Sequence, residues 1–404
     1  MAHGHAITLP TAEEVTLPAG HSWGKLPMVG LVLGIAGLAA TFGLGMEDKP
    51  QLYHSYLTAF LYFLSLGLGA LFFVIVQFAS KAGWSVVVRR TAESMTAPLP
   101  VMLVLFIPIV LGLHDLYHWT HAAAVAEDSI LQWKEPYLNQ GFFQARAVVY
   151  FAVWAGLSMF FRRTSIRQDT EGGVDLTRRM QKVAGPAIAA FAFSLTFAAL
   201  DWGMSLDPHW YSTMWGVYYF AGAWVSFNAL LAVLHLLMEK QGLLRGIVTM
   251  EHYHDIGKLM FAFTVFWTYI AFSQYFLIWY ANIPEETAWF AHRAGSSWET
   301  MGITLMLGHF AIPFLFLIQR RVKRNRGTLM LGALWLLVMH YVDIYFIVMP
   351  SLHKDGVHFS PLDVAAFVGI GGIFFAVATM AMKRAPLIPV KDPRLSASIS
   401  FENF

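Results

Sequence analysis

The sequence contains no cysteine. Disulfides, thiolate catalysis, c-type haem attachment and cysteine-ligated iron–sulfur clusters within the chain are therefore excluded. Any redox group held here must use His or Met, or belong to a partner. Charge is scarce as well, at 13% of residues against about 25% in an ordinary soluble domain. Net charge is only +2, and the basic residues lie in short loops, which argues against a nucleic-acid surface. There is no G-x-G-x-x-G, no G-x-x-x-x-G-K-[ST] and no H-E-x-x-H, and no connection is longer than about 26 residues, so soluble catalytic machinery has no place. The start, 1-MAHGHAITLPTAEEVTLPAG-20, has no Lys or Arg and no apolar core before Lys25. It does not read as a signal peptide, and the first hydrophobic segment is expected to stay as a helix.

What is abundant is apolar surface. Hydrophobic residues make up 57% of the 404, more than a soluble fold can hide behind so few charges. The composition predicts an all-α integral membrane protein. Runs long enough for the hydrocarbon, which needs about 20 helical residues, occur at 25–45, 54–79, 97–115, 142–161, 182–201, 214–239, 257–282, 298–319, 328–349 and 362–382. Lys and Arg number 3, 6, 3, 5 and 4 in 80–96, 162–182, 240–258, 320–327 and 383–404, but 1, 1, 0, 1 and 1 in 46–53, 115–141, 201–213, 283–297 and 350–361. This strict alternation predicts a multi-pass topology with both termini cytoplasmic.

An internal echo organises the spans. The third, 106-FIPIVLGLHDLYHW-119, aligns with the seventh, 266-FWTYIAFSQYFLIW-279; the fourth ends 160-FFRR-163 and the eighth 318-IQRR-321; 61-LYF-63 answers 218-YYF-220. The copies lie four spans apart, so the two repeats run the same way through the bilayer. The reading is two parallel four-helix bundles (spans 2–5 and 6–9) plus flanking spans 1 and 10. The segments are an N-terminal tail (1–24), first span and loop (25–53), first bundle (54–201), second bundle (202–349), loop and last span (350–382) and C-terminal tail (383–404).

Ionisable groups inside spans are costly, so they face a bundle interior and a partner. His309 and His340 lie near the middle of spans 8 and 9, Asp343 one turn outward of His340, and His235 toward the inner end of span 6 with Asn228 two turns outward. Three readings stay open: a proton path, with Asp115 and Asp201 continuing it outward and Ser273, Gln274 and Tyr275 extending it; axial ligation of a b-type haem by His309 and His340; and interhelical hydrogen bonds that only hold the bundle. In 111-LGLHDLYHWTH-121, His114, His118 and His121 share a face with Asp115 if the helix continues. Asp207 and His209 stand in an outer connection with no basic residue, and the carboxylates of 282-NIPEE-286 suit a short helix start. His252, His254 and Asp255 are spaced closely enough for a metal, though such a segment is also an ordinary solvated face.

The runs 266-FWTYIAFSQYFLIWYANIPEET-287, 200-LDWGMSLDPHWYSTMWGVYYF-220 and 337-LVMHYVDIYFIVMP-350 together resemble the polysulfide-reductase membrane-subunit (PsrC or NrfD-like) family. Within it the chain is most similar to the shorter, ActF-type subunits of bacterial alternative complex III, along nearly its whole length. The resemblance implies a cofactor-free, accessory subunit in the inner membrane. Its implied partners are a longer NrfD-like subunit, an outer-face iron–sulfur/molybdopterin-like protein, c-type haem subunits, small membrane subunits and lipids. The assembly oxidises quinol and passes electrons to cytochrome c, another periplasmic carrier or an associated terminal oxidase. It also implies a quinol site near the outer edge of the first bundle, where His114, Asp115 and His118 would accept protons and Pro108 would kink the helix to open a slot. The longer homologue is the usual quinol-binding subunit. A stand-alone secondary transporter is the alternative from another class.

Overall fold

The computed structural model describes residues 9–403; the first eight residues of the N-terminal tail and Phe404 lie outside the described residues. Among these it holds ten helices long and apolar enough to cross a membrane. They are α1 (Ser22–Gly45), α2 (Lys49–Ala79), α3 (Val86–Leu111), α4 (Gln140–Glu171), α5 (Asp175–Leu206), α6 (Trp215–Lys240), α7 (Met250–Ala281), α8 (Ser297–Leu317), α9 (Arg326–Ser351) and α10 (Pro361–Lys383). The protein is a multi-pass integral membrane protein.

Several helices extend past the hydropathy boundaries, because polar turns stay helical when their groups are paired. α3 starts eleven residues before its apolar run (86 against 97). Its buried Arg89 meets Glu93 at 3.2 Å and Asp392 at 2.6 Å, and Arg90 meets Glu93 at 2.9 Å and Asp169 at 2.7 Å. Asp392 belongs to the segment after α10, which straps the basic face: Ser398 Oγ donates to Trp84 O at 2.6 Å, and His252 Nε2 lies 3.0 Å from Ser398 O.

α2 and α6 are the two most enclosed spans and pack directly on each other. Gly69 permits this approach, since a Cβ there would lie 2.4 Å from Ala223 O. α2 also contacts α3, α5, α9 and α10; α4 packs on α3 and α5; α6 contacts α7 and α9; α8 sits against α7 and α9. α1 lies along α10 through a seam of small residues, where a Cβ on Gly372 would come within 2.4 Å of Gly34 N. α7 turns Phe272, Phe276, Leu277 and Trp279 outward from the protein.

Two local irregularities shape the chemistry. The helix carrying His114 does not continue. It breaks at Gly112, whose Cβ position is filled by the Tyr53 ring at 2.2 Å, and Tyr117 is extended (φ −120°, ψ 116°). In α8, residues Met306–Ala311 form a widened π turn. Pro313 has no N–H to continue the regular ladder, and the Trp335 indole donates to Gly308 O at 2.6 Å instead. His309 sits on that turn.

Candidate functional site

Five helices converge on one buried polar cluster. Asp343 of α9 is 2% exposed and accepts the Tyr218 hydroxyl from α6 at one oxygen. Its other oxygen accepts the Trp267 indole N–H from α7 at 3.1 Å. His340, one turn away on α9, places Nδ1 3.9 Å from Asp343 Oδ2 and Nε2 2.8 Å from Ser65 Oγ of α2. Glycine at 222 makes room, since a Cβ there would sit 2.8 Å from His340 Cε1. His309 of α8 stacks on Trp267, ring centroids 3.9 Å apart, and neither of its nitrogens has a hydrogen-bond partner. A carboxylate with two donors and two imidazoles beside it can hold and release a proton.

The other sequence-selected groups lie elsewhere. His235 is buried with both nitrogens unpartnered, and it stands 17 residues from Tyr218 along α6, roughly 25 Å at 1.5 Å per residue. Between them, Asn228 Oδ1 and Trp224 Nε1 also lack partners. Ser273 bonds its own helix at Ile270 O, Gln274 accepts from Ser212 Oγ at 2.7 Å, and Tyr275 is half exposed beside Phe290. Asp201 is fully buried in a closed pair: Arg146 of α4 reaches it through Nε at 2.8 Å and Nη2 at 2.9 Å, and Tyr150 donates at 2.8 Å. Arg146 escaped the sequence reading. An arginine one turn inside an apolar span, which must find a carboxylate, was the available signal.

On the face with few basic residues, a cavity of about 410 Å³ opens between the two halves of the chain. His114, Asp115, His118 and His121 line it from the α3–α4 connection, and Asp207 and His209 from the α5–α6 connection. The α7–α8 connection adds His292 and Arg293, α2 adds His54, and Lys354 follows α9. Despite the broken helix, the rings gather: His114 and His121 stack at 3.8 Å, and His118 lies 5.8 Å from His121. The interior of the first half is packed with aromatics instead, Trp202 lying against Phe60, Phe106, Phe151 and Trp154 at centroid distances of 4.7–6.2 Å.

Burial pulls the Arg293 guanidinium down to about 9, partly offset by the charges of Asp207 and Tyr218. Arg293 thus lines the cavity while lying close enough to Tyr218 of the Asp343 cluster for their charges to interact. Among the described residues no group of three or more His, Asp or Glu could hold a metal ion, His252, His254 and Asp255 included. Neither the family models nor the curated proteins contain a match to the sequence.

The α3–α4 connection is latched by His209, whose Nε2 lies 2.5 Å from Asp128 Oδ2. That contact, followed by the Leu131 and Ile130 amides, holds the Asp128 carboxyl below its ordinary value. A depressed carboxylate stabilises the fold above its unfolded pKa, and this contribution is lost as pH falls through the folded one. A spin label at Ala126→Cys, feasible in a cysteine-free chain, should become more mobile as pH falls from about 4 through the depressed value of the Asp128 carboxyl. The Asp128→Asn chain should be mobile throughout; unchanged mobility in the parent over that range would rule out the latch.

Proposed function

We propose that the chain is an integral, accessory subunit of a quinol-oxidising respiratory complex in the bacterial inner membrane, and that it conducts protons as well as serving as scaffold. The family is the NrfD-like one, and the assembly is of the alternative complex III kind. α2–α5 and α6–α9 form the two parallel four-helix bundles, with α1 and α10 flanking. Pairing of α2 with α6, each packed among helices of its own half, favours that division. By the positive-inside rule the cavity face is periplasmic and both termini are cytoplasmic.

The observation that carries the reading is Asp343, buried in the second half with Tyr218, Trp267, His340 and His309 around it. The carboxylate exchanges a proton with the Tyr218 hydroxyl, which leads past Arg293 to the imidazoles and carboxylates of the cavity. From the cytoplasmic side the route follows α6 through His235 and Asn228, whose unpartnered atoms suit bridging waters. His309 and His340 are assigned to this route, with Trp267 packed on the ring of one and Ser65 at the Nε2 of the other. A second reading is favoured by the cavity itself: it takes the quinol head group, with His114, His118 or Asp115 accepting the hydroxyl proton.

Affinity purification of the tagged chain from its native membrane in mild detergent tests membership. Stoichiometric c-type haem and iron–sulfur subunits, with no b-type Soret band from the chain alone, are expected. A solitary, haem-free protein whose melting responds to a small metabolite would instead identify a secondary transporter.

A further inference from the structure

The cavity floor holds a buried cation without a matching carboxylate. Arg293 is 7% exposed, and its guanidinium carbon lies over the Trp289 ring, 3.5 Å from the centroid. Trp289 is itself fixed by stacking on Trp210 at 5.2 Å, and Trp210 donates to Glu286 O at 2.9 Å. Of the five N–H groups of an arginine, three are directed at main-chain carbonyls: Nη1 to Trp289 O at 2.8 Å, and Nε and Nη2 to Phe346 O, both at 3.4 Å. One N–H on each terminal nitrogen remains. Asp207, whose charge reaches Arg293, faces His292 at 3.5 Å rather than pairing with the guanidinium.

A preorganised fork of this kind suits an anion with paired oxygens far better than a point-like ion. The surrounding groups fit such a guest. Lys354 supplies a second cation from the α9–α10 connection, and His118 and His292 supply ring N–H donors from two further connections. Leu206 and Ile347 give apolar wall for an attached carbon chain. Asp115 and Asp207 also line the cavity, so the guest must place its oxygens on the Arg293 and Lys354 side.

We propose that this cavity binds a carboxylate or phosphate group, held by the remaining N–H groups of Arg293 with Lys354 as the second cation. The site stands on the chain's own residues and is independent of membership in any complex. Its level at the helix ends admits two sources, the head group of an anionic lipid or a free anion from the aqueous side.

The test uses the purified full chain in detergent, with melting followed at constant ionic strength. Inorganic phosphate, succinate, phosphatidylglycerol and net-neutral phosphatidylcholine are added separately, with chloride as reference. A rise of a few °C is expected with at least one anion and none with phosphatidylcholine. A response to phosphatidylglycerol alone identifies a lipid source; a response to phosphate or succinate identifies a soluble one. Arg293→Gln should abolish the response, and Arg293→Lys should keep part of it. If no anion shifts melting, or if Arg293→Gln responds as the parent does, the site is refuted. Should Arg293→Gln fail to fold, Lys354→Gln at an exposed position decides: a weakened response supports the site, and an undiminished one overturns it.

Discussion

Asp343→Asn should leave the complex assembled while cutting proton movement coupled to quinol oxidation by roughly 10²-fold or more, the scale on which a positioned acid–base group acts. The reason lies in the hydrogen bonds. Asp343 accepts from the Tyr218 hydroxyl and the Trp267 indole. The amide can keep its oxygen on Trp267 N–H, a fixed donor, and turn its NH₂ toward Tyr218, whose hydroxyl can rotate to accept. Folding is therefore preserved, but a group that takes up and gives back a proton becomes one that does not. The check is a pH-sensitive dye inside proteoliposomes carrying the whole complex, with quinol as donor and cytochrome c as acceptor. Asp115→Asn examines the cavity end in the same assay. Unchanged turnover and stoichiometry in Asp343→Asn would remove this carboxylate from the mechanism.

The second large effect is on stability. Asp201→Asn should destabilise the first half of the chain by roughly 3–5 kcal/mol, the usual result of removing one partner from a buried pair. Arg146 is 8% exposed, lies over the Tyr137 ring at 3.8 Å and the Phe142 ring at 4.3 Å, and gives two of its N–H groups to Asp201. With an amide opposite, the guanidinium charge is left without a counter-ion, and the Tyr150 hydroxyl competes for the one remaining oxygen. Removing both charges in Arg146→Met with Asp201→Asn should recover part of the loss, because no unpaired ion remains. Melting of the parent, Asp201→Asn and the double variant in one detergent measures this. Equal melting of Asp201→Asn and the parent would mean that the pair contributes nothing.

The contrast between these sites shows what a linear sequence can convey. Hydropathy placed ten spans because membrane crossing demands apolar length, and the depth of His309, His340 and Asp343 followed from position within a run. The proximity of His340 to Asp343 was legible too, since three residues make one helical turn. Partners on other helices were not. Tyr218, Trp267 and Ser65 reach the cluster through lateral packing, which no spacing along the chain encodes. The cavity illustrates the same point more strongly. His114, Asp115 and His118 stood out as a polar ending to an apolar run, whereas His54 comes from α2, His292 and Arg293 from the α7–α8 connection and Lys354 from the α9–α10 connection, and these meet only in space. The charged start of α3 was lost for another reason: hydropathy counts Arg89, Arg90 and Glu93 as costs and is blind to their mutual pairing.

The central claim is that Asp343, His340, His309 and Tyr218 inside the spans of the second half gather with one another and face away from acyl chains. Carbene footprinting of the native complex with a lipid-borne diazirine, read by mass spectrometry, tests it without any substitution. Label is expected on outward side chains of α7 such as Phe272 and Leu277, and on none of Asp343, His340, His309 or Tyr218. Label on Asp343, His340 and His309 at levels comparable to Leu277 would contradict the account.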